Sequence, residues 1–531
     1  VFREPRLRRL ELAWGGFYVG EWTQFVALSI YAYRHGGATA VGVFGLVRMG
    51  AAALAIPFGG MLTDRYPRQR VLVGSYALRA AALGATAAAA AGGARLLLVF
   101  CLAAVAAAAA APVRPATLSL VPLLARTAEE LVAANVASSS LEGVGTLVGP
   151  IAGGVVTVAT GAATAVAVAA AVHVGCAVSV ASIRREGDVV RAGGGRGLAA
   201  LAAGARTLAQ DAKPRSIVLL FASQTFVRGL LNVLLTVAAL GVLGVGGGGL
   251  GWLNATLGAG AIAGAAGTVG IVGRRRLAGL FALALVLWGA PIAVIGVAPH
   301  AAVAFVALAV VGVGNALLDV SGFTLLQRTV DDHVLGRVFG TFEILVAIAV
   351  ATGSGLAAVA VHELGLRTSF VLAGCLLPAL ALLSRHALRQ IDDEARVPEE
   401  RVRLLAAVPL FAPLAVTTLE RLASRARGRS AGAGEVIVEE GSEGDAFYVI
   451  AAGRVEVLRS GETVRELERG ETFGEIALLR DTPRTATCRA LTDVELLELD
   501  RATFVGAVSG DLHSSELAEE LVEARLASDA A

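Results

Sequence analysis

The chain has 531 residues, 56% of them hydrophobic, and a mean hydropathy of +0.71, which is too apolar for a soluble protein of this length. The net charge of +2 says little by itself, but charge is concentrated in a few loops and in the last 130 or so residues. Cys101, Cys176, Cys375 and Cys488 lie far apart with no CxxC pair and no Cys/His spacing for zinc; they are expected to be buried, small and apolar, with no metal site.

Apolar runs of about 20 residues, the length that crosses a bilayer, recur through the first three quarters. Six spans are expected near 13–33, 39–63, 69–91, 95–122, 133–158 and 161–183. A polar stretch over 184–216 follows, and six more spans near 217–243, 249–272, 276–298, 300–326, 336–361 and 367–387. Arginines crowd the loops after span 2 (Arg65, Arg68, Arg70), after span 6 (Arg184, Arg185, Arg191) and after span 8 (Arg274, Arg275, Arg276), whereas "GGATA", "TGAAT" and "APHAA" are nearly uncharged. The positive-inside rule then puts both termini in the cytosol.

The two sets of spans repeat at an offset of about 200 residues. "RTAEELV" at 126–132 answers "RTVDDHV" at 328–334, each followed by an intramembrane glutamate, Glu142 and Glu343; "PRQR" at 67–70 answers "GRRR" at 273–276. A duplicated six-span unit is the mark of transporters that rock two bundles about a central site.

"GGMLTDRYPRQR" at 59–70 resembles the loop motif of the major facilitator superfamily, through Gly60, Leu62, Asp64, Arg65, Arg68 and Arg70, with Pro67 where the family usually has Gly. The resemblance implies that this Asp and these Arg residues hold one conformer closed. "GTLVGPIAGG" at 145–154 is similar to the GxxxGPxxGG pattern of the family's exporters, carried by Gly145, Gly149, Pro150, Gly153 and Gly154. Small residues four apart let helices approach closely, and Pro150 can bend its helix. The layout of residues 1–390 most resembles the enterobactin-exporter and macrolide-efflux branch. The implied domains are an N-terminal six-helix bundle (1–183), a cytosolic interbundle linker (184–216) and a C-terminal six-helix bundle (217–388).

Charges inside spans are costly and face either a partner or a water-filled cavity. Glu21, Arg48, Arg114, Glu142, Arg228, Asp319 and Glu343 lie inside spans. One reading makes them internal ion pairs. The other makes one or two carboxylates proton carriers, with Glu21, Glu142 and Asp319 preferred in that order. Gln24, Gln224, Asn232, Asn254 and Asn315 are candidate cavity-lining residues, while His173 and His300 have no metal-like company and read as incidental. Spans rich in Ala, Leu, Val and Gly suit a lipophilic or amphiphilic cargo better than a sugar.

After a charged linker at 389–400, residues 401–531 change character: short helices, then short alternating runs with Gly- and acid-rich turns, as in a small barrel or jelly roll. "FGEIALLRDTPRTAT" closely matches the phosphate-binding cassette of cyclic-nucleotide-binding domains, and "EEGSEGDAFYVIAAGRVEV" supports the resemblance independently. The fold class is thus an all-α polytopic membrane protein of about 12 helices in two six-helix repeats, followed by an α+β cyclic-nucleotide-binding β-roll or jelly roll. The resemblance implies a site made of Phe473, Gly474, Glu475, Ile476, Ala477, Pro483, Arg484, Thr485 and Ala486, with Arg525, Val522 or Leu526 capping the base. Glu475 would accept the ribose hydroxyl, and Arg484 would meet the two exocyclic phosphate oxygens with paired donors. Thr485 suits guanine, yet such sites also take cAMP, which is favoured here over cGMP as the regulatory ligand.

The expected protein is a cAMP-regulated, proton-linked exporter in a bacterial plasma membrane, with no cofactor and no nucleic-acid partner. The alternatives are an uncoupled facilitator or lipid flippase, and a membrane-tethered receptor with an inert transporter half. No nucleophile triad, Walker loop or cyclase signature suggests an enzyme. A homodimer through terminal helices is compatible with the resemblance of the tail, a monomer with that of the bundles.

Overall fold

The computed structural model describes residues 4–124, 128–183, 197–268, 277–330, 332–394, 399–414, 416–509, 517 and 520. They divide into two compact units, Val1–Gln390 and Ile391–Ala531. The loop arginines at 184, 185, 191 and 274–276, the side chain of Asp64, and Val522, Arg525 and Leu526 lie outside the described residues.

Among the described residues of the first unit, ten helical segments are long and apolar enough to cross a membrane. The first, α1 (Pro5–Arg65), is far longer than one crossing needs and contains two expected spans. It breaks at Gly36 (φ −164°) and Gly37 (φ +60°), where "GGATA" was expected as a loop; glycine reaches the second conformation without strain. The following helices are α2 (Arg68–Ala91), α3 (Leu96–Ala108), α4 (Val113–Leu124), α5 (Ala128–Thr160) and α6 (Ala162–Ala181). The span expected over 95–122 is therefore two helices, α3 and α4, separated by turns at 109–112 ahead of Pro115.

Two helices occupy the stretch expected to be a polar linker: α7 (Gly197–Gln210) and the start of α8 (Ala212–Val237), which Asp211 caps by accepting from the backbone N–H of Lys213 at 2.9 Å. Helix α7 packs on a later helix: a Cβ added at Gly204 would lie 2.3 Å from the Arg337 carbonyl oxygen. Then come α9 (Gly246–Thr268), α10 (Leu277–Val297), α11 (Ala301–Thr329), α12 (Asp332–Leu364) and α13 (Leu366–Leu383). With α1 counted as two crossings and α9 included, which is less apolar because of its many glycines and Asn254, twelve crossings result among the described residues.

The exporter-like motif is one of several places where the helices approach closely. Among the described residues the tightest are Gly260 and Gly312, between α9 and α11, and Gly353 against α8, where an added Cβ would in each case lie 2.1 Å from a facing carbonyl oxygen. Cβ atoms added at Gly145, Gly149 and Gly153 would lie 2.5–2.7 Å from Tyr18, Trp22 and Thr23 of α1. Gly154 turns instead to the other half: its Cβ would be 3.0 Å from the Gly247 carbonyl oxygen, and one at Gly251 would be 2.4 Å from that of Pro150. Gly42 and Gly45 of α1 meet Ala358 and Ser354 of α12 in the same way, at 2.7 and 2.6 Å. Cys101 and Cys375 are exposed, contrary to expectation, and only Cys176 and Cys488 are buried. On a bilayer-facing helix a small apolar residue suits the outer surface as well as the core.

The boundary between units falls inside α14 (Arg385–Glu394), so part of the expected linker is helical. In the second unit α15 (Glu399–Ala406) and α16 (Val416–Arg425) precede eight strands: β1 (Arg427–Ala431), β2 (Val436–Val438), β3 (Ala446–Ala452), β4 (Val455–Arg459), β5 (Glu462–Leu467), β6 (Thr472–Phe473), β7 (Thr487–Ala490) and β8 (Val494–Asp500). Helix α17 (Glu475–Arg480) sits between β6 and β7, and α18 (Arg501–Ser509) follows β8. The strands form two antiparallel sheets, ordered β1-β8-β3-β6 and β2-β7-β4-β5. Ile450, Val455, Leu467, Phe473, Ala490 and Leu496 fill the space between them. Phe447 leaves the opposite face of β3 and stacks on Phe504 of α18 at 4.3 Å, with Phe411 edge-on at 5.6 Å. Period-two alternation thus gives β3 two buried faces, one to the sheets and one to the helices.

Candidate functional sites

The first unit encloses a cavity of about 510 Å³ lined from both halves. Five of the seven expected intramembrane charges meet there: Arg114 and Glu142 from one half, Arg228, Asp319 and Glu343 from the other. Gln224, Asn232, Asn254 and Asn315 line it too, and Trp22, Phe221, Phe323 and Phe342 supply aromatic wall. Asp319 accepts from Asn315 Nδ2 at 2.9 Å, and Asn315 Oδ1 in turn accepts from Trp288 Nε1 at 3.2 Å. A buried indole thereby fixes the amide that orients the carboxylate.

Glu21 and Arg48 stand apart from this cavity. Glu21 pairs with Arg48 and with Arg79, and accepts from Gln24 Nε2 at 2.7 Å, so Gln24 belongs to this cluster rather than to the cavity. Arg79 is completely buried on α2; it also donates to the Ala106 carbonyl oxygen at 2.9 Å and to His173 Nε2 at 3.0 Å. His173, which read as incidental, is thus a buried partner of the cluster. Arg79 is the residue sequence reasoning missed, although it carries the same signal as Arg48, a charge within an apolar span.

In the loop motif, Arg65 and Arg70 are exposed, Arg68 is half-buried, and an added Cβ at Gly60 would meet nothing. In the same stretch Gln69 Nε2 donates to the carbonyls of Val180 and Ile183 at 2.9 and 2.8 Å, tying the start of α2 to the end of α6.

In the second unit a cavity forms between β4–β7 and the segment from β6 through α17. Phe473, Gly474, Glu475, Ile476, Ala477, Arg484, Thr485 and Ala486 line it; Pro483 is exposed and does not. Gly474 has φ +94°, and a Cβ there would sit 2.6 Å from Arg484 Nη1 and 2.9 Å from the Ala446 carbonyl oxygen. Arg484 is 4% exposed and Glu475 1%. The guanidinium donates to the Gly474 carbonyl at 3.0 Å, to the Ala446 carbonyl at 2.8 Å and to Asp445 Oδ1 at 3.2 Å. The Arg484 backbone is pinned as well, its N–H donating to the Ser442 carbonyl and its carbonyl accepting from Gly441, each at 2.8 Å. A buried, pre-oriented guanidinium beside a carboxylate and a glycine-opened wall is suited to an anionic ester of a polyol. Val438, Val457, Arg465, Leu467 and Cys488 also line the cavity. Sequence reasoning missed them because they lie outside the cassette, on β2, β4 and β5 before it and, for Cys488, on β7 directly after it. On β3, burial and then the neighbouring Glu498 push the Tyr448 hydroxyl above its ordinary pKa.

Known proteins show both parts. Residues 429–511 match the family of the cyclic nucleotide-binding domain. A cAMP-dependent protein kinase regulatory subunit of Emericella nidulans is 36% identical over 126 residues, which cover 23% of this chain and 31% of that protein. A cGMP-dependent protein kinase of Caenorhabditis briggsae is 43% identical over 72 residues, covering 14% and 10%. The chain thus spans less than a third of the length of either relative. The cAMP-bound regulatory domain of Toxoplasma gondii PKA aligns at 22% identity and a TM-score of 0.23, over 24% of this chain and 51% of that one. Residues 12–349, more than half of the chain, match the Major Facilitator Superfamily. The chain belongs to the Major Facilitator Superfamily, and a cyclic nucleotide-binding domain follows its transporter bundle in the same polypeptide.

Proposed function

We propose that the protein is a secondary transporter whose activity is set by a cytosolic cyclic nucleotide, and that it exports lipophilic or amphiphilic molecules by alternating access in exchange for protons. The observation that carries this reading is the pairing, in one chain, of a two-sided charged cavity with a cradle that keeps both Glu475 and Arg484 buried. Export is favoured by the exporter-like motif at 145–154, and a cytosolic nucleotide site by the basic loops of the first unit. Proton exchange would use Asp319 and Glu142 in preference to Glu21, because the first two line the cavity and the third is held between two guanidiniums. Regulation requires the nucleotide to bind one transporter conformer better than the other.

cAMP is the favoured messenger, and one observation supports cGMP instead. Arg465 lines the cradle together with Thr485. Guanine offers two acceptors, O6 and N7, to an arginine and an amino group to a hydroxyl; adenine presents a donor in place of O6. Titrating cAMP and cGMP into the purified full-length protein, beside Arg484→Lys, tests the reading. Saturable binding weakened in the variant supports it, and a change of cargo flux in proteoliposomes on adding that nucleotide completes it. No binding of either nucleotide would remove the regulatory half of the proposal. Binding with no flux of any cargo would leave a membrane-tethered receptor.

A further inference from the structure

The central cavity has an unbalanced charge that bears on what it carries. Among the described residues that line it, two guanidiniums, Arg114 and Arg228, face three carboxylates, Glu142, Asp319 and Glu343, so that ionised lining is one negative charge in surplus. Such a surplus in a cavity walled by apolar side chains is costly until a cation or a proton offsets it. The walls suit the former. Phe221 lies 5.3 Å from Phe323 and 5.2 Å from Phe342, forming an aromatic surface beside the carboxylates. Ring faces attract cations, most strongly where water is excluded. The volume of about 510 Å³ falls in the range of sites for drug-sized molecules. A second observation is independent of the charges: Gln224, 2% exposed, lines the cavity with its Nε2 unpartnered among the described residues. A donor left so at a buried cavity wall calls for an acceptor on the cargo.

We propose that the cargo site takes a lipophilic organic cation, its positive centre held by Asp319 and Glu343, its apolar groups on Phe221, Phe323 and Phe342, and, where the molecule has one, a polar acceptor on Gln224. This rests on the transporter reading above and narrows it to one class of cargo. Neutral amphiphiles leave the surplus charge to be offset by a proton, and organic anions add to it.

Tetraphenylphosphonium and tetraphenylborate share shape and size and differ in sign, so titrating both into the purified full-length protein isolates the charge. The phosphonium should bind saturably and the borate should neither bind nor displace it. Asp319→Asn and Glu343→Gln should each weaken the phosphonium at least about tenfold, the scale of one charge contact, whereas Asp319→Glu keeps the charge and should keep binding within a few-fold. Equal or tighter binding of the borate overturns the proposal, and so does phosphonium binding that neither neutralisation changes. The first comparison uses the unaltered protein, so a variant that fails to fold leaves the test intact. Proteoliposomes separate the two readings: a cation bound but never moved defeats the transporter reading alone, and flux confined to neutral or anionic probes defeats the cation site alone.

Discussion

Arg79 on α2 reaches His173 on α6, its Nε donating to the imidazole Nε2 at 3.0 Å, while His173 Nδ1 lies 2.7 Å from the Ala169 carbonyl oxygen. An imidazole that accepts at Nε2 must carry its proton on Nδ1, so the ring is neutral and of one tautomer. The same guanidinium pairs with Glu21, and one fully buried side chain joins α1, α2 and α6. Arg79→Met should therefore destabilise the first unit by about 3–5 kcal/mol, the usual cost of removing one partner from a buried ionic cluster. The thermal midpoint in detergent reads this. Glu21→Gln combined with Arg79→Met should cost less than the sum of the two single changes, and purely additive effects would mean the pair is not coupled.

In the nucleotide cradle, Arg484→Lys should weaken cyclic-nucleotide binding by about 100-fold, from losing two charge-assisted hydrogen bonds of about 1.5 kcal/mol each. Lysine keeps the charge and loses the fork. Calorimetric titration of the full-length protein checks it, and a loss of less than threefold would show that the phosphate is held elsewhere.

Gly474→Ala should cost about 1–3 kcal/mol, because a side chain is strained at positive φ and its Cβ has nowhere to go between Arg484 and Ala446. Nucleotide affinity should fall with it, since relief of the clash moves Arg484. Gly506→Ala, in open space inside α18, is the control: it should leave nucleotide affinity unchanged and, if anything, raise stability by up to about 1 kcal/mol.

Asp500 caps α18, its Oδ1 accepting from the Thr503 backbone N–H at 2.8 Å. That bond, foremost, holds its carboxyl below the usual carboxylate pKa. A pKa lowered by folding means stabilisation that is complete above the unfolded value and lost as pH falls through the folded one. Amide-exchange protection of α18 should accordingly weaken on acidification. Asp500→Asn keeps a capping oxygen without a titrating group and should make that protection independent of pH over the same interval.

Gly251→Val should impair flux without impairing nucleotide binding, because a Cβ at 251 already meets the Pro150 carbonyl at 2.4 Å across the two halves. Unchanged flux would mean that this crossing does not form during transport.

Most of the architecture was legible in the sequence because hydropathy and glycine motifs report directly on environment. The twelve crossings, the repeat of Glu142 and Glu343 and the cassette around Arg484 all follow from local pattern. What local pattern does not carry is which side chains meet. Arg48 and Arg114 look alike as charges in apolar runs, yet one pairs with Glu21 and the other lines the cavity. The helical content of α7 was obscured by its glycines and its charged flanks, and Arg465 enters the cradle only because β5 folds over from twenty residues upstream of Thr485.

The crossing of α5 and α9 is made of main chain on main chain: Gly154 lies against Gly247, Gly248 and Gly251, and Gly251 against Pro150. Where side chains enter it, Val158 rests on Gly247 and Gly248 and Ile262 on Gly143, and the glycines present no side chain to interlock with them. Parting it forfeits dispersion contacts of about 0.1–0.2 kcal/mol per atom pair, and it can re-form without searching rotamers. The two sides of a transport cycle can then lie within a few kcal/mol of each other, and about 5.5 kcal/mol of differential affinity suffices to reverse a 1:99 population. Under the regulatory reading proposed above, a seam held in this way needs no more than one ligand's differential affinity to bias it.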